Sequence, residues 1–297
     1  MRLVITGASG YIGKNLVNKL KIEKKNKLLL IVRSDKNISK LNKDNLNNNI
    51  FFLKASHKTK LSKFIESFHE FKPEVIIHLA TAYLQDHNIY NLNDILDCNI
   101  SFSTKIIEAA IKVNCTKFIN TSTKWEFYNN KKIPVNLYAA SKSAFNELLN
   151  YYHSAHKISI ITIYLTDTYG EYDDRNKLIP FLIKNKNSKK NVNLTKGDQI
   201  IEYIHINDLL MIYHKIINKI NFIDRPIKYA YFIHGERVSL KNLISIFKKT
   251  FNSKINFKLG ALNYRNREVF NPYVGKSNFK LELKKKFNLK KFFKDFK

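Results

Sequence analysis

The chain has 297 residues, enough for one large α/β unit or two domains with a sizeable core. Its formal net charge of +28 suggests nucleic-acid binding, but the lysines are spread through every segment and form no single basic tract, so we expect no nucleic-acid partner. Cys98 and Cys115 have no metal-ligand spacing. We find no signal-peptide pattern and no apolar run of membrane-spanning length, which predicts a cytoplasmic protein without a membrane partner.

The chain begins with a pattern that predicts dinucleotide binding. An apolar strand, Arg2 to Thr6, runs into a loop with the spacing G-x-x-G-x-x-G, and residues 14–20 then have helical periodicity. Glycines allow a tight turn and close approach of a ligand, while free N–H groups at the helix N-terminus attract a pyrophosphate. The predicted contacts to the dinucleotide are Gly7, Ser9, Gly10, Tyr11, Ile12 and Gly13.

The end of the second strand bears on which dinucleotide binds. Strand Lys27 to Val32 is followed by Arg33. An acidic residue at this place, about 20 residues beyond the glycine loop, holds the ribose 2'-hydroxyl of NAD. A guanidinium suits a 2'-phosphate by charge and geometry, which favours NADP(H) over NAD(H). Asp35, two residues later, keeps NAD open as the alternative.

The first half continues to alternate between short apolar strands and helix-length segments. The predicted strands and helices occupy, in turn, residues 50–53, 61–71, 74–79, 96–113 and 116–120. This order predicts an α/β fold with a Rossmann-type, doubly wound parallel sheet covered by helices on both faces. Ligands bind such sheets at the carboxyl ends of the strands. Arg33, Ala80, Thr81 and residues 121–123 end strands and should therefore line one crevice with the glycine loop.

A helical segment without Gly or Pro, Tyr138 to His156, carries a candidate acid–base pair. Tyr138 and Lys142 are four residues apart, so both side chains lie on one helix face. A nearby ammonium favours the ionised form of a phenol, whose pKa is ordinarily about 10. Such a pair can exchange a proton with a sugar or alcohol oxygen. For these two residues alone, the alternative is an ordinary solvated helix face.

The second half of the chain is less regular. A buried strand is predicted at residues 159–165, and polar, turn-rich sequence follows it. The remaining predicted elements are a β-arm at 193–204 and helices at 208–217, 240–251 and 277–285. We expect the Lys-rich end, residues 284–297, to be a solvated helical tail. Because no low-complexity linker separates the halves, the second domain should be interleaved with the first.

Several motifs, in order along the chain, resemble those of one enzyme family. The glycine loop, His78-Leu79-Ala80, Asn99 and the Tyr138/Lys142 pair match the extended short-chain dehydrogenase/reductases (the NAD-dependent epimerase/dehydratase family), in the branch that modifies nucleotide sugars. Further matches are Thr168-Tyr169-Gly170, Gly197-Asp198-Gln199 and the run from Tyr203 to Asp208. Within this family, residues 136–142, 176–180 and 264–268 resemble CDP-abequose and CDP-paratose synthases, which are NADPH-dependent ketoreductases acting at sugar C4.

The resemblance implies a role for each matching residue. Tyr138 would donate or accept the proton, Lys142 would hold the nicotinamide ribose and lower the pKa of Tyr138, and Thr123 would hydrogen-bond the reacting oxygen. The implied additions to the cofactor site are Leu79, Ala80, Thr81 and Asn99. The implied substrate-binding residues are Thr123, Lys124, Asn176, Lys177, Gln199 and Arg265. Arg267 is an open candidate for the substrate diphosphate.

The two residues after Thr123 bear on the reaction. Sugar 4,6-dehydratases of this family carry an Asp-Glu pair there, whereas this chain has Lys124-Trp125 and no evident acid for eliminating water. Reduction of a C4 ketone, for synthesis of a surface polysaccharide sugar, is therefore the leading prediction. A 4-epimerase with retained NAD and a non-catalytic dinucleotide-binding regulator are the alternatives. CDP is implied as the activating nucleotide, with GDP and dTDP open.

The resemblance also implies domains and assembly. The NAD(P)-binding domain would comprise residues 1–166 and 200–235, and the smaller nucleotide-sugar-binding domain residues 167–199 and 236–297. We expect a homodimer that pairs through the helices predicted at residues 96–113 and 138–156.

Two histidines are expected to be structural. His78 lies on an apolar strand, and His205 lies inside the motif from Tyr203 to Asp208. Neither has a metal-ligand partner at a useful spacing, so no metal site is predicted.

Overall fold

The computed structural model describes residues 1–41, 48–282 and 285–296. Its central sheet has seven strands: β1 (Arg2–Thr6), β2 (Lys27–Val32), β3 (Ile50–Lys54), β4 (Val75–His78), β5 (Lys117–Thr123), β6 (Ser159–Leu165) and β10 (Lys228–Phe232). Their spatial order is β10-β6-β5-β4-β1-β2-β3. Every neighbouring pair is parallel, which confirms the predicted Rossmann-type sheet.

Helices cover both faces of this sheet. On one face lie α1 (Tyr11–Leu20) and α8 (Ile206–Asn221), and on the other lie α3 (Leu61–Phe71), α5 (Ser103–Lys112) and α6 (Leu137–His156). Strand β1 shows the alternation: Leu3 and Ile5 pack into the first hydrophobic cluster, and Val4 packs into the second. Apolar side chains on both faces explain why these strands read as continuous hydrophobic runs. The short helix α2 (Asp35–Ser39) follows β2.

The helix predicted at residues 96–113 contains an irregular turn. It consists of α4 (Leu92–Leu96), a π-helical turn (Asp97–Phe102) and then α5. A π turn inserts an extra residue and changes the direction in which side chains point. Here the turn contains Asn99, which is fully buried. Its carboxamide oxygen accepts from the backbone N–H of Ala82 at 2.8 Å, and its nitrogen donates to the Ser141 hydroxyl at 2.9 Å.

A smaller part of the fold lies beside the carboxyl edge of the sheet. It contains the three-stranded sheet of β7 (Asp167–Tyr169), β9 (Ile200–His205) and β11 (Glu236–Ser239), and the parallel pair of β8 (Asn191–Leu194) and β12 (Asn256–Leu259). Helices α7 (Leu178–Lys184), α9 (Leu240–Phe251) and α10 (Leu289–Asp295) enclose a third cluster with Leu182, Phe247 and Phe293. Strand β9 belongs to the smaller part of the fold, whereas α8, which follows it directly, packs on the large sheet. The chain therefore passes between the two parts at this point, and the exact division into domains stays a prediction.

The predicted helix at residues 277–285 is wrong for the residues that the structure describes. The Ser277 hydroxyl accepts from Phe232 N at 2.8 Å, and the Asn278 side chain accepts from Ala230 N at 2.6 Å. This stretch therefore runs along the edge of β10 and places Phe279, 6% exposed, in the core. Residues 283 and 284 lie outside the described residues. Pairing with a distant strand has overridden the local helical pattern.

The predicted solvated tail is helical in part but is not solvated. Residues 289–295 form α10, and Leu289, Phe292 and Phe293 on this helix are buried against α9. The apolar residues of this segment decide its packing, while its lysines remain on the outer face. Within the described ranges, no helix combines the length and apolar character needed to cross a bilayer.

Candidate active site

A cavity of about 1190 Å³ lies at the carboxyl ends of the parallel strands, between the large sheet and the smaller part of the fold. Pockets for one drug-sized ligand hold roughly 300–1,000 Å³, so this cavity is larger than an ordinary pocket for one such ligand. The sequence-predicted site residues that line it are Gly7, Ser9, Gly10, Tyr11, Ile12, Gly13, Arg33, Leu79, Ala80, Thr81, Thr123, Lys124, Tyr138, Lys142, Asn176, Lys177, Gln199 and Arg265. Asn99 instead lies behind the wall, holding the residue 81–82 loop against α6.

The glycine loop fits a dinucleotide diphosphate. Gly7 has φ +67°, and a Cβ there would lie 2.7 Å from Ala80 N; a Cβ on Gly13 would lie 2.2 Å from the Gly7 carbonyl oxygen. Neither position accepts a side chain, so the backbone turns tightly beneath the cavity. The N-cap of α1 is Gly10. Since glycine has no side chain to satisfy the first N–H groups of the helix, these groups are free to bind an anion.

The rim of the cavity beside β2 is basic. Arg33 is exposed at the end of β2, and Asn37 and Lys40 line the same part of the cavity. Asp35, the acidic residue that kept NAD open, pairs with Lys54 instead: Lys54 Nζ lies 3.2 Å from Asp35 Oδ2. Asp35 therefore has a solvent-exposed partner at the first turn of α2, and Arg33 belongs to the cavity wall.

Tyr138 and Thr123 meet where β5 ends beside α6. The neighbouring hydroxyls of Thr81 and Thr123 lower the pKa of Tyr138, but burial raises that pKa more strongly. Lys142 was expected to lower the pKa of Tyr138. The net pKa of Tyr138 is raised in the structure, because burial outweighs the contacts that lower it, and the effect of Lys142 stays a prediction. A phenol that stays protonated is a proton donor.

Lys142 is buried under α6, with 3% of its surface exposed. Burial lowers its pKa to about 8, and the nearby acidic groups Glu126 and Cys98 oppose that change. Lys142 still lines the cavity, so its ammonium can contact a ligand there. An ammonium has three donors and no acceptor, so at this place in the wall it can bind an oxygen-rich group such as a ribose.

Glu126 is a buried carboxyl that the sequence reasoning missed. Its Oε1 accepts hydrogen bonds from Asn146 Nδ2 at 2.8 Å and from the Ser122 hydroxyl. Asn146 lies one turn after Lys142 on the same face of α6. Burial raises the pKa of Glu126, and the charge of Lys142 is among the groups that lower it. Glu126 lies beneath β5 and does not line the cavity formed by the described residues, so it acts on the site through its charge.

Tyr83 was also missed, and it packs against Tyr138 in the cavity wall. Its ring lies edge-on to that of Tyr138, with centroids 5.0 Å apart. Lys177 Nζ lies 5.6 Å from the Tyr83 ring centroid, and the same ammonium pairs with Asp167 at 2.5 Å. The available signal was its position directly after the strand-end segment at Ala80 and Thr81. Tyr83 thus lies between Tyr138 and Lys177, a predicted substrate-binding residue.

Lys124 forms a buried ion pair rather than a free contact. Its Nζ lies 2.9 Å from Glu202 Oε2, and the two side chains are 3% and 2% exposed. The second oxygen of Glu202 accepts from Gly235 N at 2.7 Å. Burial lowers the pKa of Lys124, and Glu202 opposes the change. Because the desolvation of a buried pair offsets its attraction, we assign it a positioning role: it joins the end of β5 to β9.

The remaining predicted substrate residues occupy the far side of the cavity. The Gln199 amide donates to the Thr195 hydroxyl at 2.9 Å, and the Arg265 side chain is exposed at the rim. Arg267, which was left open, lies with its guanidinium 4.8 Å from the ring centroid of Tyr128. Among the described residues, it is not part of the cavity wall.

Both histidines are structural, as predicted. His78 is fully buried, with Nδ1 2.9 Å from the Thr6 hydroxyl and Nε2 2.8 Å from the Ser103 hydroxyl. Burial lowers the pKa of His78, so the ring is neutral. His205 caps α8, because its Nδ1 accepts from Asn207 N at 3.2 Å, and its ring stacks on another aromatic ring 4.1 Å away.

Sequence comparison now decides the family. Residues 3–230 match the profile of the NAD dependent epimerase/dehydratase family. The chain belongs to this family. The resemblance inferred from the motifs is confirmed, and so is the prediction that the protein is an NAD(P)-dependent enzyme of the oxidoreductase type.

Individual relatives add detail. The chain is 29% identical over 285 residues to the CDP-abequose synthase of Salmonella typhimurium, covering 94% of this chain and 91% of the relative. It is 27% identical over 274 residues to the CDP-abequose synthase of Yersinia pseudotuberculosis, covering 92% of each. Both relatives are thus similar over nearly their full length.

Solved structures agree with the fold. The UDP-glucuronic acid 4-epimerase of Bacillus cereus in complex with NAD superposes with a TM-score of 0.76 at 19% identity, covering 99% of this chain and 96% of that one. The dTDP-glucose 4,6-dehydratase of Streptomyces venezuelae gives a TM-score of 0.76 at 17% identity, with 91% and 87% coverage. At these identities the similarity establishes the architecture alone.

Proposed function

We propose that this protein is an NADPH-dependent reductase of the C4 ketone of a nucleotide-activated sugar, serving synthesis of a surface polysaccharide sugar. The observation that carries the proposal is the convergence of Thr123, Tyr138 and Lys142 with the glycine loop on the wall of one cavity at the carboxyl ends of the strands. The two relatives named CDP-abequose synthase support a nucleotide sugar, and CDP in particular, as the substrate.

The reduction adds a hydride to the ketone carbon and a proton to its oxygen. When bound, the reduced nicotinamide supplies the hydride, with its two electrons. The ketone oxygen accepts hydrogen bonds from Tyr138 and Thr123, which stabilise negative charge as it develops there. Tyr138 gives up its proton, because the developing alkoxide is the stronger base, and recovers one from water. One ketone, one reduced dinucleotide and one proton give one alcohol and one oxidised dinucleotide.

The surrounding charges suit this direction of reaction. Burial raises the pKa of Tyr138 and keeps its proton in place before the reaction. The Lys142 ammonium stabilises the phenolate that remains afterwards and holds the nicotinamide ribose. Because Lys142 is so deeply buried, its attraction is weakly screened by solvent.

The geometry gives no support for elimination of water. Lys124 occupies the position after Thr123, where the dehydratases carry an acid, and its ammonium is paired with Glu202. Glu126 is near in sequence, but its carboxyl is buried beneath β5 against Asn146. Neither side chain presents a free carboxyl to the cavity, so the proposal is reduction and not dehydration.

NADP is the proposed cofactor. Arg33 and Lys40 are basic residues in the part of the cavity wall where a 2'-phosphate would lie, and Asp35 is paired with Lys54 at the surface.

We also propose that the protein is a cytoplasmic homodimer paired through α5 and α6. Analytical ultracentrifugation tests the dimer; a monomer at all concentrations contradicts it.

Tyr138→Phe tests the catalytic assignment. The variant should bind NADPH with unchanged affinity, because the ring and its packing against Tyr83 remain. Its turnover should fall about 10²–10⁴-fold, the usual contribution of general acid catalysis. Turnover at the wild-type rate would contradict the role of Tyr138. A wild-type protein that binds NADPH and reduces no nucleotide sugar would indicate a regulatory binder instead.

A further inference from the structure

Residues 170–175, here called the clamp segment, lie against the first turn of α1 at the glycine loop. The guanidinium carbon of Arg175 lies 4.2 Å from the ring centroid of Tyr11. The Tyr11 hydroxyl donates to the Glu171 carbonyl oxygen at 3.2 Å, and Lys14 Nζ lies 3.6 Å from Asp174 Oδ1. Three different interactions therefore connect this segment to the helix turn that faces the dinucleotide diphosphate.

Arg175 is held in a fixed orientation. Its Nε and Nη2 each lie 2.7 Å from an oxygen of Asp173, in a two-point pair. Nη2 also donates to the Thr168 carbonyl oxygen at 2.9 Å. The Asp173 side chain is 2% exposed, so solvent screens this pair weakly. The plane of the guanidinium is thus set before any ligand binds, and the Tyr11 ring packs on it.

The clamp segment also leads directly into the opposite side of the cavity. Asn176 and Lys177 follow Arg175 and belong to the predicted nucleotide-sugar site, and both line the cavity with Arg175 and Tyr11. The start of the segment is closely packed: a Cβ on Gly170 would lie 2.8 Å from the Tyr11 hydroxyl oxygen. The segment that leads to the predicted substrate contacts therefore packs directly against Tyr11.

We propose that Arg175 is a positioning residue that couples the dinucleotide site to the nucleotide-sugar site. A dinucleotide on the glycine loop fixes the first turn of α1, and contact between Tyr11 and Arg175 then fixes the clamp segment in the arrangement that binds the sugar nucleotide. The coupling must be reciprocal, since each ligand changes the affinity of the other by the same factor. This inference rests on the proposed function for the identity of the two ligands.

The test compares the dissociation constant of NADPH with and without a saturating nucleoside diphosphate; CDP, GDP and dTDP are each used in turn. In the wild type, the diphosphate that binds should tighten NADPH by about 5-fold or more, the lower end of ordinary coupling. In Arg175→Met, which keeps an apolar stem over Tyr11 but loses the charge and the pair with Asp173, the ratio should fall to about 1. Circular dichroism confirms that the variant is folded.

Two further variants sharpen the test. Tyr11→Phe keeps the ring under Arg175 but loses the hydroxyl, so it should retain coupling. Lys219→Met removes a similar contact far from the cavity, where Lys219 Nζ lies 5.7 Å from the Phe279 ring centroid, and should couple like the wild type.

The outcomes separate the inference from the proposed function. Wild-type coupling in Arg175→Met, or no coupling in the wild type, overturns the inference and leaves the reductase proposal intact, because the measurement needs no turnover. If none of the three nucleoside diphosphates binds, the proposed substrate class is wrong, and the inference falls with it.

Discussion

Lys142→Met should make the ligand-free protein more stable while removing its activity. Burial lowers the pKa of Lys142 from 10.5 to about 8. At about 1.4 kcal/mol for each pKa unit, holding the ammonium in the fold costs about 3 kcal/mol. The pKa of Lys142 in the folded protein lies below its value in the unfolded chain. Below pH 8 the side chain is charged in both states, so the full loss of folding stability is present. As the pH rises from 8 to 10.5 the folded protein releases the proton first, so the loss shrinks, and above 10.5 it vanishes. Methionine fills a similar volume without the charge.

Urea unfolding at a series of pH values measures this effect. At pH 7 the variant should gain about 3 kcal/mol in free energy of unfolding, and the gain should shrink as the pH rises through the interval between the two pKa values. Lys63→Met, at an exposed position on α3, is the matched control and should show no such pH-dependent gain. A variant that is less stable at pH 7, or a gain that does not change with pH, would refute this reasoning.

Three other substitutions test the site. Thr123→Ala should lower kcat about 10²-fold or more in steady-state assays, because one donor to the developing oxyanion is lost; an unchanged kcat would rule out that role. Glu126→Gln removes a negative charge that raises the pKa values of Tyr138 and Lys142, so the alkaline limb of the pH–rate profile for reduction should move to lower pH. Glu147→Gln, at an exposed carboxyl of α6, should leave the profile in place, and an unmoved limb in Glu126→Gln contradicts the assignment. Arg33→Asp should weaken NADPH relative to NADH by roughly 10-fold or more, since a charged hydrogen bond contributes about 1.5–3 kcal/mol; titration of both dinucleotides measures the ratio, and an unchanged ratio contradicts the role of Arg33.

The large sheet and the location of the cavity follow from the sequence for a physical reason. Strands buried on both faces must be apolar throughout, and parallel neighbours need helix-length crossovers, so the pattern from Arg2 to Thr123 admits few other folds. The carboxyl ends of parallel strands share one edge of the sheet. Thr123 and the glycine loop therefore had to converge, and the structure shows that they do.

What the sequence could not predict depends on contacts between distant segments. The stretch after Ser277 has helical spacing but pairs with β10, because hydrogen bonds to Ala230 and Phe232 are available there. Glu126 looked like an ordinary residue after a strand end, and only the packing of α6 buries it. Arg175 lay in a polar turn, and nothing in its neighbourhood along the chain indicated that it would stack on Tyr11.

The proposed reaction is tested most directly by supplying purified protein and NADPH with a panel of 4-keto nucleotide sugars that carry different bases, CDP foremost. We predict that NADPH is oxidised with at least one of them, that one sugar alcohol at C4 forms for each NADPH consumed, and that NADH is used less well. Turnover of a C4-hydroxyl sugar without added cofactor, by protein that retains NAD through dialysis, would contradict the reductase proposal and indicate a 4-epimerase.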